Sequence, residues 1–198
     1  TSFMSLNERM RKATLDCLEE AISATESLDI TGYVLHPTRF VESEIANLPL
    51  AMSAKRKIFK YIMEKGSRGI SNLVEAAGNP RKILLEGDCA IPSDAIFDPL
   101  VREYDVGICF DYGHHVMSKM NPYTFFDEHH DRIREIHFHD VAIQHKIDHL
   151  PLGGGTADWQ GFIKHITRGN RFDGVFLLEM MQSAAITSLP KALKVLGI

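Results

Sequence analysis

Short apolar runs that end in a single polar residue recur along this chain. Tyr33-Val34-Leu35-His36, Ile83-Leu84-Leu85-Glu86, Val106-Gly107-Ile108-Cys109-Phe110-Asp111, Ile133-Arg134-Glu135-Ile136-His137 and Gly174-Val175-Phe176-Leu177-Leu178-Glu179 each read as a buried β-strand with a polar C-terminal end. Between them the spacing turns helical. Ser5 to Leu28 predicts a helix with an apolar stripe of Met10, Ala13, Cys17, Ala21 and Ala24, opened by a capping box of Ser5 with Glu8. Ala51 to Lys65 predicts a second helix, closed by Gly66, and Ile70 to Ala77 a short third one before the turn Gly78-Asn79-Pro80. Further helices are expected over Asp94 to Glu103, Tyr123 to Arg132, and from a cap at Asp158 to Arg168. Pro190 is placed to open a closing helix, Lys191 to Leu196. The strand before Phe138 runs to His137 or to His139, and Asp140 to Thr156 reads as a long polar loop around Gly153-Gly154-Gly155.

Strands alternating with helices imply a parallel sheet with helical crossovers. A doubly wound sheet usually carries a glycine-rich turn after its first strand, and Leu35-His36-Pro37-Thr38 is not one. Polar residues at every strand tip favour a barrel instead, because in a parallel barrel all those tips open at one rim. His, Asp and Glu gathered there suggest a metal site. No linker or repeat divides residues 1–198, so a single domain is expected.

Composition narrows the classes. The chain has 198 residues, 44% hydrophobic and 24% charged, which is ordinary for a globular protein with one substantial core. A net charge of -4 gives no global pull toward nucleic acid or an anionic membrane. There is no run of about 18 apolar residues, and the N-terminus has neither the basic head nor the apolar stretch of a signal peptide. Cys17, Cys89 and Cys109 form no metal-type spacing; Cys17 and Cys109 read as small core residues, and a reducing, cytoplasmic setting is expected. Oligomeric state leaves no mark in the pattern, so a homo-oligomer stays open.

The ordered set Val34-Leu35-His36-Pro37, Leu84-Leu85-Glu86, Phe110-Asp111-Tyr112-Gly113-His114, Ile136-His137-Phe138-His139-Asp140, His149-Leu150-Pro151-Leu152-Gly153-Gly154-Gly155 and Leu177-Leu178-Glu179 resembles the xylose-isomerase-like barrel superfamily. That superfamily holds sugar and sugar-phosphate isomerases and epimerases together with endonuclease IV-type enzymes of AP endonuclease family 2. The resemblance implies an α/β TIM (β/α)8 barrel in which His36 ends the third strand, Glu86 the fourth, Asp111 the fifth, His137 the sixth and Glu179 the eighth, with His149 at the seventh. A full barrel takes about 250 residues, so the chain lacks roughly the first one and a half βα units. The expectation is that the natural protein begins earlier.

By the same resemblance, Glu86, Asp111, His137 and Glu179 are the metal ligands. Three carboxylates and one imidazole suit Mn²⁺, Zn²⁺, Co²⁺ or Mg²⁺. In isomerase and epimerase relatives the glutamates matching Glu86 and Glu179 also move a proton beside a carbonyl, through a metal-stabilised enediolate. His36, His114 and His149 fall at positions that hold a second metal or contact substrate. His139 is a rival to His137, and Asp140 is expected to orient a neighbour. The expected activity is isomerisation or epimerisation of a small sugar, keto-sugar or sugar phosphate. Two alternatives stand beside it: a phosphodiester hydrolase of the endonuclease IV type, and a non-catalytic binding barrel. The hydrolytic pattern wants an Asp where Ile147 stands, and Asp148, in an extended segment, would point the other way. That mismatch, with 22 basic against 26 acidic residues, disfavours nucleic acid and leaves a small molecule as the expected partner.

Overall fold

The computed structural model describes residues 3–37, 48–87, 97–169 and 171–198. Its contacts fall into two compact units, Thr1–Ile108 and Cys109–Ile198. Cys89 and the expected helix start at Asp94 lie outside the described residues.

In the first unit, helix α1 spans Glu8–Ala24 and is capped by Asn7, whose side chain accepts from the N–H groups of Arg9 and Met10. Ser5 sits one step further out and accepts from Asn7 N–H, so the cap is Asn7 rather than the Ser5–Glu8 box. The helix also turns a different face inward. Ile22 is buried, whereas Met10 and Cys17 are exposed, so the stripe expected at Met10, Ala13, Cys17, Ala21 and Ala24 looks outward. Strand β1, Tyr33–Leu35, pairs in parallel with β2, Ile83–Glu86, which is buried along its whole length. Two helices make the crossover: α2, Met52–Gly66, and α3, Arg68–Ala77. The chain passes from one to the other through Ser67 in right-handed helical conformation, so Gly66 is not the left-handed cap. Gly78 is, at φ 66°, a conformation that costs a glycine little. Phe59, Ile62, Ile70, Leu73 and the strand residues Ile83, Leu84 and Leu85 form the core. Helix α4, Phe97–Tyr104, follows, with Leu100 and Val101 buried.

Strand β3, Gly107–Asp111, is wholly buried and carries the chain into the second unit. There β3 neighbours β4, Ile133–Phe138, which pairs in parallel with β7, Val175–Leu178. Asp111 caps a short helix, α5, Tyr112–Met117. Helix α6, Pro122–His129, is capped by Asn121. The stretch read as a polar loop holds an antiparallel hairpin, β5, Asp140–Ala142, and β6, Ile147–Leu150. Asp158 caps α7, Trp159–Thr167, as expected. Helix α8 runs Gln182–Leu196 with Pro190 inside it, so Pro190 does not open the helix. Its inner face holds it there: Ala192 is buried, and the buried Ser188 accepts from Leu152 N–H at 3.0 Å. Phe110, Tyr112, Phe126, Phe138 and Phe162 pack as the aromatic core of this unit.

Candidate metal centre

Apolar β-strands deliver the site residues because each ends just where its chain leaves the core. In the first unit Glu86 closes β2 at 3% exposure, and His36 follows β1; His36 Nε2 stands 3.3 Å from Glu86 Oε2.

The second unit gathers Asp111 from the end of β3, His137 from β4 and Glu179 just past β7. Their ligand atoms lie within 4.8 Å of one another. His137 turns Nε2 to Glu135 Oε1 at 3.1 Å and Nδ1 to Glu179 Oε2 at 3.1 Å. If Nε2–H donates to Glu135, a lone pair on Nδ1 faces a carboxylate oxygen, an arrangement that a proton or a shared cation relieves. Glu179 is held below the usual carboxylate range, chiefly by His137. Glu135 was missed in the sequence; its signal is the strand alternation that puts residues two apart on one face.

Asp111 is buried and serves three neighbours. Its Oδ1 accepts the backbone N–H of His114 at 2.7 Å and lies 3.3 Å from His139 Nε2, while Oδ2 lies 2.8 Å from His114 Nδ1. Burial alone would raise its pKa, but hydrogen bonds from His114 and His139 outweigh it and hold the carboxyl far below the usual range. Asp111 Oδ2, His139 Nε2 and Glu179 Oε2 are buried atoms that make no well-aligned hydrogen bond among the described residues, although each has an imidazole or carboxylate neighbour within 3.3 Å. The two inward-facing carboxylates, with the adjoining His137 imidazole, fit a divalent cation.

Beside them, His114, His139 and His149 also bring ligand atoms within 4.8 Å of one another. The rings of His139 and His149 stack at 4.2 Å. Asp148 does not point away. His149 adopts φ 53°, which breaks the strand alternation, and Asp148 Oδ1 reaches His149 Nδ1 at 3.1 Å while Oδ2 lies 3.9 Å from His114 Nε2. His149 Nε2 is 3.8 Å from Glu179 Oε2, so the two groups adjoin. His115 is buried in the aromatic core, and desolvation pushes its pKa down to about 4.

Asp140 orients a loop and not a cation. Its carboxylate accepts from the N–H groups of Val141, Gly153, Gly155 and Ala157 at 2.8, 2.9, 3.0 and 3.1 Å. Gly154 N–H is taken by Pro151 O. The glycine run therefore has no N–H left for a phosphate.

Parallel strands with helical crossovers, ending in clustered imidazoles and carboxylates, define an α/β class whose chemistry sits at strand C-termini. The family described as xylose isomerase-like TIM barrel matches residues 1–196, and the chain belongs to it. An uncharacterized protein of Methanocaldococcus jannaschii is 27% identical over 188 residues, covering 88% of this chain and 59% of that protein. The chain thus spans less than two thirds of that relative's length. An inosose dehydratase of Lacticaseibacillus casei is 34% identical over 97 residues, 40% of this chain and 32% of the relative. Among solved structures, a D-tagatose 3-epimerase-like protein superposes with a TM-score of 0.74 at 23% identity, covering 99% of this chain and 73% of that one.

Proposed function

We propose that this chain carries the metal-holding part of an isomerase or epimerase that acts on a small sugar, keto-sugar or sugar phosphate. The observation that carries the reading is the convergence of Asp111, His137 and Glu179, with buried atoms of Asp111 and Glu179 lacking aligned partners. Glu86 joins them in the proposal on the family pattern. A divalent cation held there would supply Lewis-acid stabilisation of negative charge beside a substrate carbonyl. The protein's own residues do the rest. Glu179, kept ionised by His137, is the base that takes a proton from the carbon next to the carbonyl. Glu86 is assigned the matching transfer on the other face. His114 and His149 are assigned to substrate hydroxyls, and the names of an inosose dehydratase and a D-tagatose 3-epimerase-like protein among its relatives support a polyol or keto-sugar as substrate class.

The test is solvent-hydrogen exchange into a panel of keto-sugars by the full chain with added Mn²⁺. Glu179→Gln is expected to abolish exchange while leaving the fold intact by circular dichroism. Exchange retained in that variant removes Glu179 from its role. One specific observation favours a second reading, a metal-dependent phosphodiester hydrolase: Asp148 turns toward His114 and His149 and completes a second donor group. One metal per chain supports the isomerase, and three support the hydrolase.

A further inference from the structure

His139 belongs by distance to the group with His114 and His149, yet its surroundings give it another role. We infer that His139 is a positioning residue, whose ring turns Nε2–H to the Asp111 carboxylate, 3.3 Å from Oδ1, and does not ligate a cation.

A backbone amide sets the tautomer. His149 N–H points at His139 Nδ1 at 2.9 Å. An amide N–H can only donate, and at 2.9 Å it outcompetes the Asp140 carbonyl, 3.4 Å from the same nitrogen, so Nδ1 is the unprotonated nitrogen. The proton of the neutral ring then sits on Nε2, and Nε2 stands 3.3 Å from Asp111 Oδ1. To bind a metal, Nε2 would have to shed that proton while Nδ1 stays bare, which requires an imidazolate. His114 and His149 are built the other way round. Each turns Nδ1 to a carboxylate, Asp111 at 2.8 Å and Asp148 at 3.1 Å, so in these rings the nitrogen held closest to a carboxylate is Nδ1 and not Nε2.

The rest of the local fold serves the same ring. His139 is fully buried. Gly113 is required beside it, since a Cβ there would collide with the imidazole at Cε1, Nδ1 and Nε2. The left-handed φ of 53° at His149 belongs to the residue whose N–H meets Nδ1. A side chain that had to move onto a cation would gain nothing from being fixed on both nitrogens. One that sets the orientation of a carboxylate needs that fixation.

The geometry stands without a metal; only its consequence for metal affinity rests on the function proposed above. The test uses the full chain labelled with ¹⁵N-histidine and two-bond ¹H–¹⁵N correlation spectra, metal-free and with Zn²⁺. His139 is assigned by through-bond correlation to its own backbone, with no variant needed. The expected result is the Nε2–H tautomer in both states. An Nδ1–H tautomer, or loss of the Nε2 proton when Zn²⁺ is added, overturns the inference. Zinc titration of two variants supplies the second readout. His139→Leu is expected to keep the number of zinc equivalents and bind about 10–100-fold more weakly, and His139→Gln, whose amide restores a donor near the Nε2 position, to recover most of that loss. Loss of one zinc equivalent in both variants, or unchanged affinity in His139→Leu, also overturns it. A chain that binds no zinc overturns the metal reading, and the metal-free tautomer still decides whether His139 is the donor to Asp111.

Discussion

Replacing Asp140 tests how the hairpin and its glycine loop are held. Its carboxylate is 1% exposed and accepts four backbone N–H groups, from Val141, Gly153, Gly155 and Ala157. Hydrogen bonds to a charged acceptor contribute ~1.5–3 kcal/mol each, but the full set is an upper bound. The bonds from Gly153, Gly155 and Ala157 are only part-buried, so water can recover some donors after truncation. If two of the donors stay orphaned at ~1–3 kcal/mol each, Asp140→Ala loses about 4 kcal/mol. In a chain of this size that is a fall in Tm of roughly 8–16 °C. Asp140→Asn separates shape from charge. Asn fills the same space but turns an NH₂ group toward two of the four N–H donors, so it is expected to cost nearly as much. Thermal unfolding gives the global value. Amide exchange gives the local one, with Gly153, Gly155 and Ala157 losing about a thousandfold in protection if the whole 4 kcal/mol is spent locally. Asn at position 140 within about 1 kcal/mol of the native protein would refute the reasoning, because the space would then matter and the acceptors would not.

Two further outcomes follow from named contacts. Asp127 is held below its ordinary pKa first by a hydrogen bond from His165 and then by Arg171, at 2.8 and 2.7 Å. A depressed folded pKa means that the contribution is complete above the unfolded value near ~4 and is lost as pH falls through the folded one. Asp127→Asn should therefore flatten the acid limb of a stability-versus-pH curve and leave its neutral region parallel to that of the native protein; an unchanged acid limb contradicts this. Glu135→Gln removes the carboxylate at His137 Nε2 and is expected to weaken metal affinity about 10–100-fold; chelator competition showing native affinity would deny Glu135 its orienting role.

Much of this fold was legible because buried strands leave a plain mark. Ile83–Glu86 and the strand ending at Asp111 have the expected ends, and Asp158 caps its helix as read. What stayed hidden depends on tertiary contact. On α1, the residues that looked like an apolar stripe face out, while Ile22 is buried. The hairpin from Asp140 to Leu150 is polar and partly exposed, and its course depends on positive φ at Lys146 and His149, which the residue types do not announce. The torsion at His149 goes with the turn of Asp148 toward His114, against the alternation rule. In the site, the donors Asp111, His137 and Glu179 could be named from strand ends. The contacts of Glu135 with His137 and of His149 N–H with His139 could not, since both depend on which neighbour each ring nitrogen meets.

The central proposal is that Asp111, His137 and Glu179 share one divalent cation. The direct measurement is an anomalous-difference map from crystals of the protein grown with Mn²⁺. The account predicts a peak at roughly 2.0–2.3 Å from an oxygen or nitrogen of each of these residues. A map with no peak there, or with manganese held only by other side chains, would contradict it.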